Sequence, residues 1–157
     1  MQLLKYFFLI FILSSSGLFS FAQENPVIIK VSKFKPPVVK TFLGVNQNGA
    51  SVTSDEAAQL ITLPLKITDD KNNVYPIDSY QFLYRKKGAI QDEETGKIQT
   101  TFTIQSERFN ATPLPKIWID NLKDGFQKDE QLYFFDIVVK DKEGRRFFAP
   151  ELKITIK

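Results

Sequence analysis

The stretch Leu132-Tyr133-Phe134-Phe135-Asp136-Ile137-Val138-Val139 decides the fold class. Aromatic and β-branched side chains suit the pleated surface of a sheet, and a run apolar on both alternate faces predicts a central strand covered on both sides or nearly so. Its neighbours in sequence read the same way. Ile77 to Arg85 places Tyr80, Phe82 and Tyr84 on one face, with Ile77 and Leu83 on the other. Period-two alternation recurs in Leu60 to Thr68, through Ile61, Leu63, Leu65 and Ile67, and Pro64 marks that strand as an edge or a bulge. Lys97 to Gln105 alternates through Ile98, Phe102 and Ile104, and the last stretch through Leu152, Ile154 and Ile156. Val27, Ile29 and Val31 predict a short strand, and Val38 to Leu43 another after the Pro36-Pro37 break.

Turn chemistry separates these runs. Asp69 to Asn73 and Asp141 to Gly144 are turn clusters, the second expected to join the last two strands as a hairpin. Thr53-Ser54-Asp55-Glu56 has the spacing of a capping box, which predicts a helix of about two turns through Ala57, Ala58 and Gln59. A second short helix is expected over Leu114 to Lys123, with Ile117 or Trp118 and Leu122 as its apolar stripe and Gly125 ending it. Together these elements predict an all-β fold, an Ig-like β-sandwich of seven or eight strands with one or two short helices.

Composition removes whole classes of chemistry. The 157 residues contain no Cys and no His. Disulfide frameworks, thiolate nucleophiles, zinc-thiolate sites, Ser-His-Asp triads and HExxH metal sites are therefore excluded, as is an acylated lipoprotein Cys. No catalytic residue, cofactor site or metal site is expected. The N-terminal sequence MQLLKYFFLIFILSSSGLFSFA has one charge, Lys5, an apolar run from Tyr6 to Leu13, and small residues before Ala22. That is the layout of a secretory signal peptide over residues 1–22, cleaved between Ala22 and Gln23. A spanning helix needs roughly 20 apolar residues, so no membrane span is expected after cleavage. Loss of Lys5 takes the formal net charge from +3 to +2, too small for a nucleic-acid footprint. Residues 23–157 are expected to form one exported domain, in the periplasm or, alternatively, at the cell surface or released.

The remaining candidates divide between chemistry and architecture. Acid pairs at Asp55/Glu56, Asp69/Asp70, Asp92/Glu93/Glu94 and Asp129/Glu130 could serve glycoside hydrolysis only if one sat in a cleft, and solvated turn acids are the expected reading. The loop Asp69 to Asn73 lacks the spacing of a calcium loop. Asp136 interrupts an apolar strand and is expected to be structural, hydrogen-bonded or paired with an Arg such as Arg108. The basic runs Arg85-Lys86-Lys87 and Arg145-Arg146 read as solvated faces, and Asn110-Ala111-Thr112 as a chance sequon. Trp118, Phe126, Phe147 and Phe148 are the candidate interaction surface, because aromatic rings near loops and in adjacent strand positions can anchor a protein interface or stack a sugar.

Several stretches together resemble one known domain. They are Phe34 to Val38, the loop Gly44 to Gly49 with the helix at Asp55 to Ala58, Tyr80-Gln81-Phe82 with Gly88, and Ser106 to Phe109. Leu122 to Gly125, Tyr133 to Ile137 and Asp141 to Gly144 complete the set. They resemble the C-terminal domain of GldM, a gliding-motility and type IX secretion protein of Bacteroidetes, over about residues 34–157. The resemblance implies a β-rich periplasmic interaction module, here a stand-alone domain behind a signal peptide, with envelope proteins as partners and no catalytic residue to carry over. The expected function is a non-enzymatic protein–protein contact in the cell envelope. The alternative is a carbohydrate- or small-ligand-binding module that uses Trp118.

Overall fold

Tyr80, Phe82 and Tyr84 point to one side of the longest strand, and all three are buried. This strand organises the computed structural model, which describes residues 33–157. The signal peptide expected at residues 1–22, its cleavage after Ala22 and the strand expected at Val27 to Val31 lie outside the described residues. In chain order the elements are β1 (Val39–Leu43), β2 (Ala50–Val52), α1 (Ser54–Leu60), β3 (Leu65–Asp69) and β4 (Ile77–Gln91). After them come β5 (Ile98–Phe109), α2 (Lys116–Leu122), β6 (Gln131–Lys140), β7 (Arg146–Phe148) and β8 (Leu152–Ile156). The all-β, sandwich-like class follows the sequence reading, with eight strands and two short helices among the described residues.

The layers are uneven. β1 and β3 pair antiparallel as a two-stranded sheet, while the larger sheet runs β2-β8-β6-β4-β5 with β7 also paired to β6. Apolar side chains from both sheets are buried, including Leu43, Ile67, Phe82, Leu132, Phe134, Ile154 and Ile156. Polar contacts tie elements distant in sequence: the Thr41 hydroxyl donates to the Pro150 carbonyl at 2.6 Å, and the Leu65 N–H donates to the Thr112 hydroxyl at 2.7 Å.

The LYFFDIVV stretch is central but not buried on both faces, a correction to the expectation. β6 has β4 on one edge and β8 and β7 on the other, yet only Leu132, Phe134, Ile137 and Val139 are buried. The first two have even numbers and the second two odd. A bulge reconciles them: Asp136 has φ +47° and the pairing with β4 shifts register between Ile77 and Gln81, so the apolar phase switches in mid-strand. On the outer face Tyr133 and Phe135 stack at 4.9 Å, half-buried.

β7 and β8 lie along the same edge of β6, interrupted between Phe148 and Leu152. The Asp141 to Gly144 turn therefore joins β6 to β7, one strand earlier than expected. At α1 the capping box forms in full, with the Thr53 hydroxyl accepting from the Glu56 N–H and the Glu56 carboxylate accepting from the Thr53 N–H. That nucleus carries the helix through Leu60, so Leu60 to Pro64 is not strand as predicted, and β3 starts only at Leu65. Leu60 and Ile61 are buried from the helix end, while Leu63 is exposed.

Candidate interaction surface

β4 and β5 pair in an unbroken antiparallel register from Tyr80↔Phe109 to Gln91↔Ile98. The pairing of β6 with β4 stops at Arg85↔Gln131. Six residue pairs, Lys86↔Thr103 to Gln91↔Ile98, thus extend past the sheet as a two-stranded arm about 20 Å long. Parity assigns its faces. Phe109 is buried opposite Tyr80, so odd-numbered β5 residues share the core face and even-numbered ones share the outer face. Ile98, Phe102 and Ile104 therefore point away from the core, and Ile98 and Ile104 are 75% and 66% exposed. Their alternation predicted a half-buried strand; the same alternation makes an apolar outer stripe. The Arg85 guanidinium covers the Phe102 ring at 3.4 Å from its centre, so this member of the basic run is a cation–π partner.

The arm is anchored at its base by a carboxylate that the sequence reading placed among solvated turn acids. Glu130 is fully buried, which corrects that reading. It accepts hydrogen bonds from the Tyr84 hydroxyl, from the Lys87 N–H at 2.9 Å and from the Gln127 N–H at 2.9 Å. Burial first, and then the bond to Glu130, push the Tyr84 phenol above its ordinary value, so it remains the proton donor of the pair. A signal for this burial was present: Glu130 has the parity of Leu132 and Phe134 and immediately precedes their strand. Its neighbour Asp129 is exposed and pairs with Lys87 at 3.0 Å.

The four predicted aromatic residues do not converge on one patch. Phe126 is buried edge-on against Tyr84, and Phe147 is buried edge-on against Tyr75, so both are core. Trp118 is half-buried on α2, edge-on to Phe82 and Phe109, and its indole N–H donates to Glu107 at 2.7 Å. Phe148 alone of the four is exposed, at 72%. On α2 the apolar stripe is Trp118 and Leu122, and Ile117 is exposed.

The other candidate groups serve architecture. Asp136 accepts from Gln81 at 2.9 Å and lies 3.7 Å from Arg108, the structural role expected of it. Arg146 binds Asp78 at 2.8 Å, and Arg145 binds Asp141 and Glu143 at 2.7 Å each. A groove of about 470 Å³, lined chiefly by Pro64, Leu65, Ile67, Val74, Tyr75 and Ile77, is apolar and brings no carboxylate together. Among the described residues no three Asp or Glu are grouped to hold a metal ion, and no helix is long and apolar enough to cross a membrane.

Asp69 and Asp92 close loops with their carboxylates. The Asn73 side chain, helped by the N–H groups of Asn73 and Lys71 and the Tyr75 hydroxyl, holds Asp69 below its ordinary value against the opposing effect of desolvation. The Thr95 N–H does the same for Asp92. Because both folded-state values lie below the unfolded ones, their contribution is present above the usual carboxylate range and is lost as pH falls through it. The urea midpoint is expected to hold from neutral pH to about 5 and to fall below about 4. A midpoint unchanged down to about pH 3 would contradict this role.

No protein-family model and no curated protein matches the chain.

Proposed function

We propose that this protein is a non-enzymatic, exported protein–protein interaction module of the bacterial cell envelope that offers the open edge of β5 to a strand of its partner. The observation that carries this reading is the edge itself. Among the described residues β5 is paired on one side only, by β4. From Ile98 to Ser106 that edge has no charge, Pro or Gly, the residue types with which sheet proteins guard their edges. A strand added there would gain main-chain hydrogen bonds, with Ile98, Phe102 and Ile104 supplying side-chain contacts on the outer face. The N-terminal sequence supports export, and the resemblance to the GldM C-terminal domain supports an association with secretion or gliding-motility machinery.

The test is photo-crosslinking in the native host, with a photoreactive phenylalanine analogue at position 103 on β5 or at position 153 on β8. Both positions are exposed. A discrete protein adduct from 103 and none from 153 is expected. No adduct from 103, or the same adducts from both positions, would overturn the reading.

A further inference from the structure

We infer that the strand completing this sheet is β5 of a second copy, paired antiparallel about a twofold axis at Phe102. This inference rests on the reading of β5 as the contact edge and names its occupant. Two hydrogen bonds establish which peptide groups face outward. The Asp92 N–H donates to the Lys97 carbonyl at 2.9 Å, which turns odd-numbered β5 peptide groups toward β4. The Lys87 N–H donates to Glu130, away from β5, as the same alternation requires of odd-numbered β4 residues. The N–H and C=O groups of Ile98, Thr100, Phe102, Ile104 and Ser106 therefore point to the open edge.

An antiparallel twofold at an outward-facing residue brings together residues of like parity. Centred on Phe102, it sets Phe102 against its own copy, Thr101 against Thr103, and Gln99 against Gln105. It also sets Thr100 against Ile104 and Ile98 against Ser106, and it opposes no like charges. At its two ends it places Lys97 of each copy opposite Glu107 of the other. These pairs fall at non-hydrogen-bonded positions, where facing side chains come closest. Glu107 is already held in place by the Trp118 indole N–H, on the same face as Lys97. The uncharged stretch is thus bounded by charges that match only in this register, and two copies would join their six-stranded sheets into one.

Sedimentation velocity on the exported protein, purified after removal of its signal peptide, over a range of concentrations tests this. Wild type is expected to convert from monomer to dimer as concentration rises. Lys97→Glu, which opposes two like pairs, should weaken dimerisation by about tenfold. Lys97→Glu combined with Glu107→Lys should restore it. Ile104→Pro removes one outward N–H without removing a bond to β4, and is expected to be monomeric with an unchanged far-UV circular dichroism spectrum. A wild type monomeric at every concentration, or a single charge variant that dimerises like wild type, would overturn the inference. So would failure of the paired swap to restore the dimer. A monomeric chain that still gives a foreign-protein adduct from position 103 overturns the second copy as occupant and leaves the contact edge standing.

Discussion

Glu130→Ala is expected to cost roughly 3–5 kcal/mol of folding stability, a large share of what a domain this size possesses. The reason is the number of donors left behind. The Tyr84 hydroxyl and the N–H groups of Lys87 and Gln127 all point at a carboxylate that is out of contact with water. Truncation leaves three buried or half-buried donors unmatched, and an unmatched donor costs more than the hydrogen bond it made. Glu130→Gln keeps the volume and one acceptor, so its loss should be smaller, about 2 kcal/mol. Urea unfolding of the three proteins measures both. A Glu130→Ala variant within about 1 kcal/mol of wild type would show that water or rearrangement satisfies these donors. Because the Lys87 N–H ties the base of the arm to Glu130, amide exchange from Lys86 to Thr103 should also accelerate in the alanine variant.

Phe82→Ala is expected to cost about as much, roughly 3–5 kcal/mol, for a different reason. Phe82 is fully buried at the centre of the larger sheet, 4.9 Å from the Phe134 ring and 5.6 Å from Trp118. With no Cys in the chain, no covalent link shares that load. Removing the ring takes away one wall of the Trp118 site, so the emission of this single Trp should move to the red along with the loss of stability. A loss below about 1 kcal/mol would mean that the cavity collapses and that Phe82 is not the hub described.

Local signals in the sequence were reliable where chemistry and geometry coincide over a few residues. The Thr53/Glu56 capping box, the buried face of Tyr80, Phe82 and Tyr84, and the pairing of Asp136 with Arg108 were all legible. Errors arose where one local pattern met another. Alternation across Leu60 to Leu63 looked like strand, but the helix nucleated at Thr53 runs to Leu60 and the chain turns over Ile61 to Leu63, which leaves only Leu65 to Asp69 for the sheet. In β6 the run of apolar residues hid a bulge, because a phase change at Asp136 cannot be told from two-sided burial by composition alone.

The apolar outer stripe of β5 was legible only through parity. Ile98, Phe102 and Ile104 are even-numbered while the buried Phe109 is odd, so with no bulge between them they cannot share a face. Two of the four aromatic candidates, Phe126 and Phe147, are buried for a related reason. Ring content says nothing of direction, and Phe126 and Phe147 turn inward onto Tyr84 and Tyr75. Glu130 lay in a cluster of turn acids, and only its register with Leu132 and Phe134 separates it from Asp129.

Residue-resolved amide hydrogen exchange along β5, at low and at high protein concentration, tests the central claim most directly. At low concentration the N–H groups of Gln99, Thr101, Thr103 and Gln105 should be protected, while those of Ile98, Thr100, Phe102, Ile104 and Ser106 exchange freely. At high concentration the second set should become protected as well. Even-numbered amides that exchange freely at every concentration, beside protected odd-numbered ones, would contradict the account.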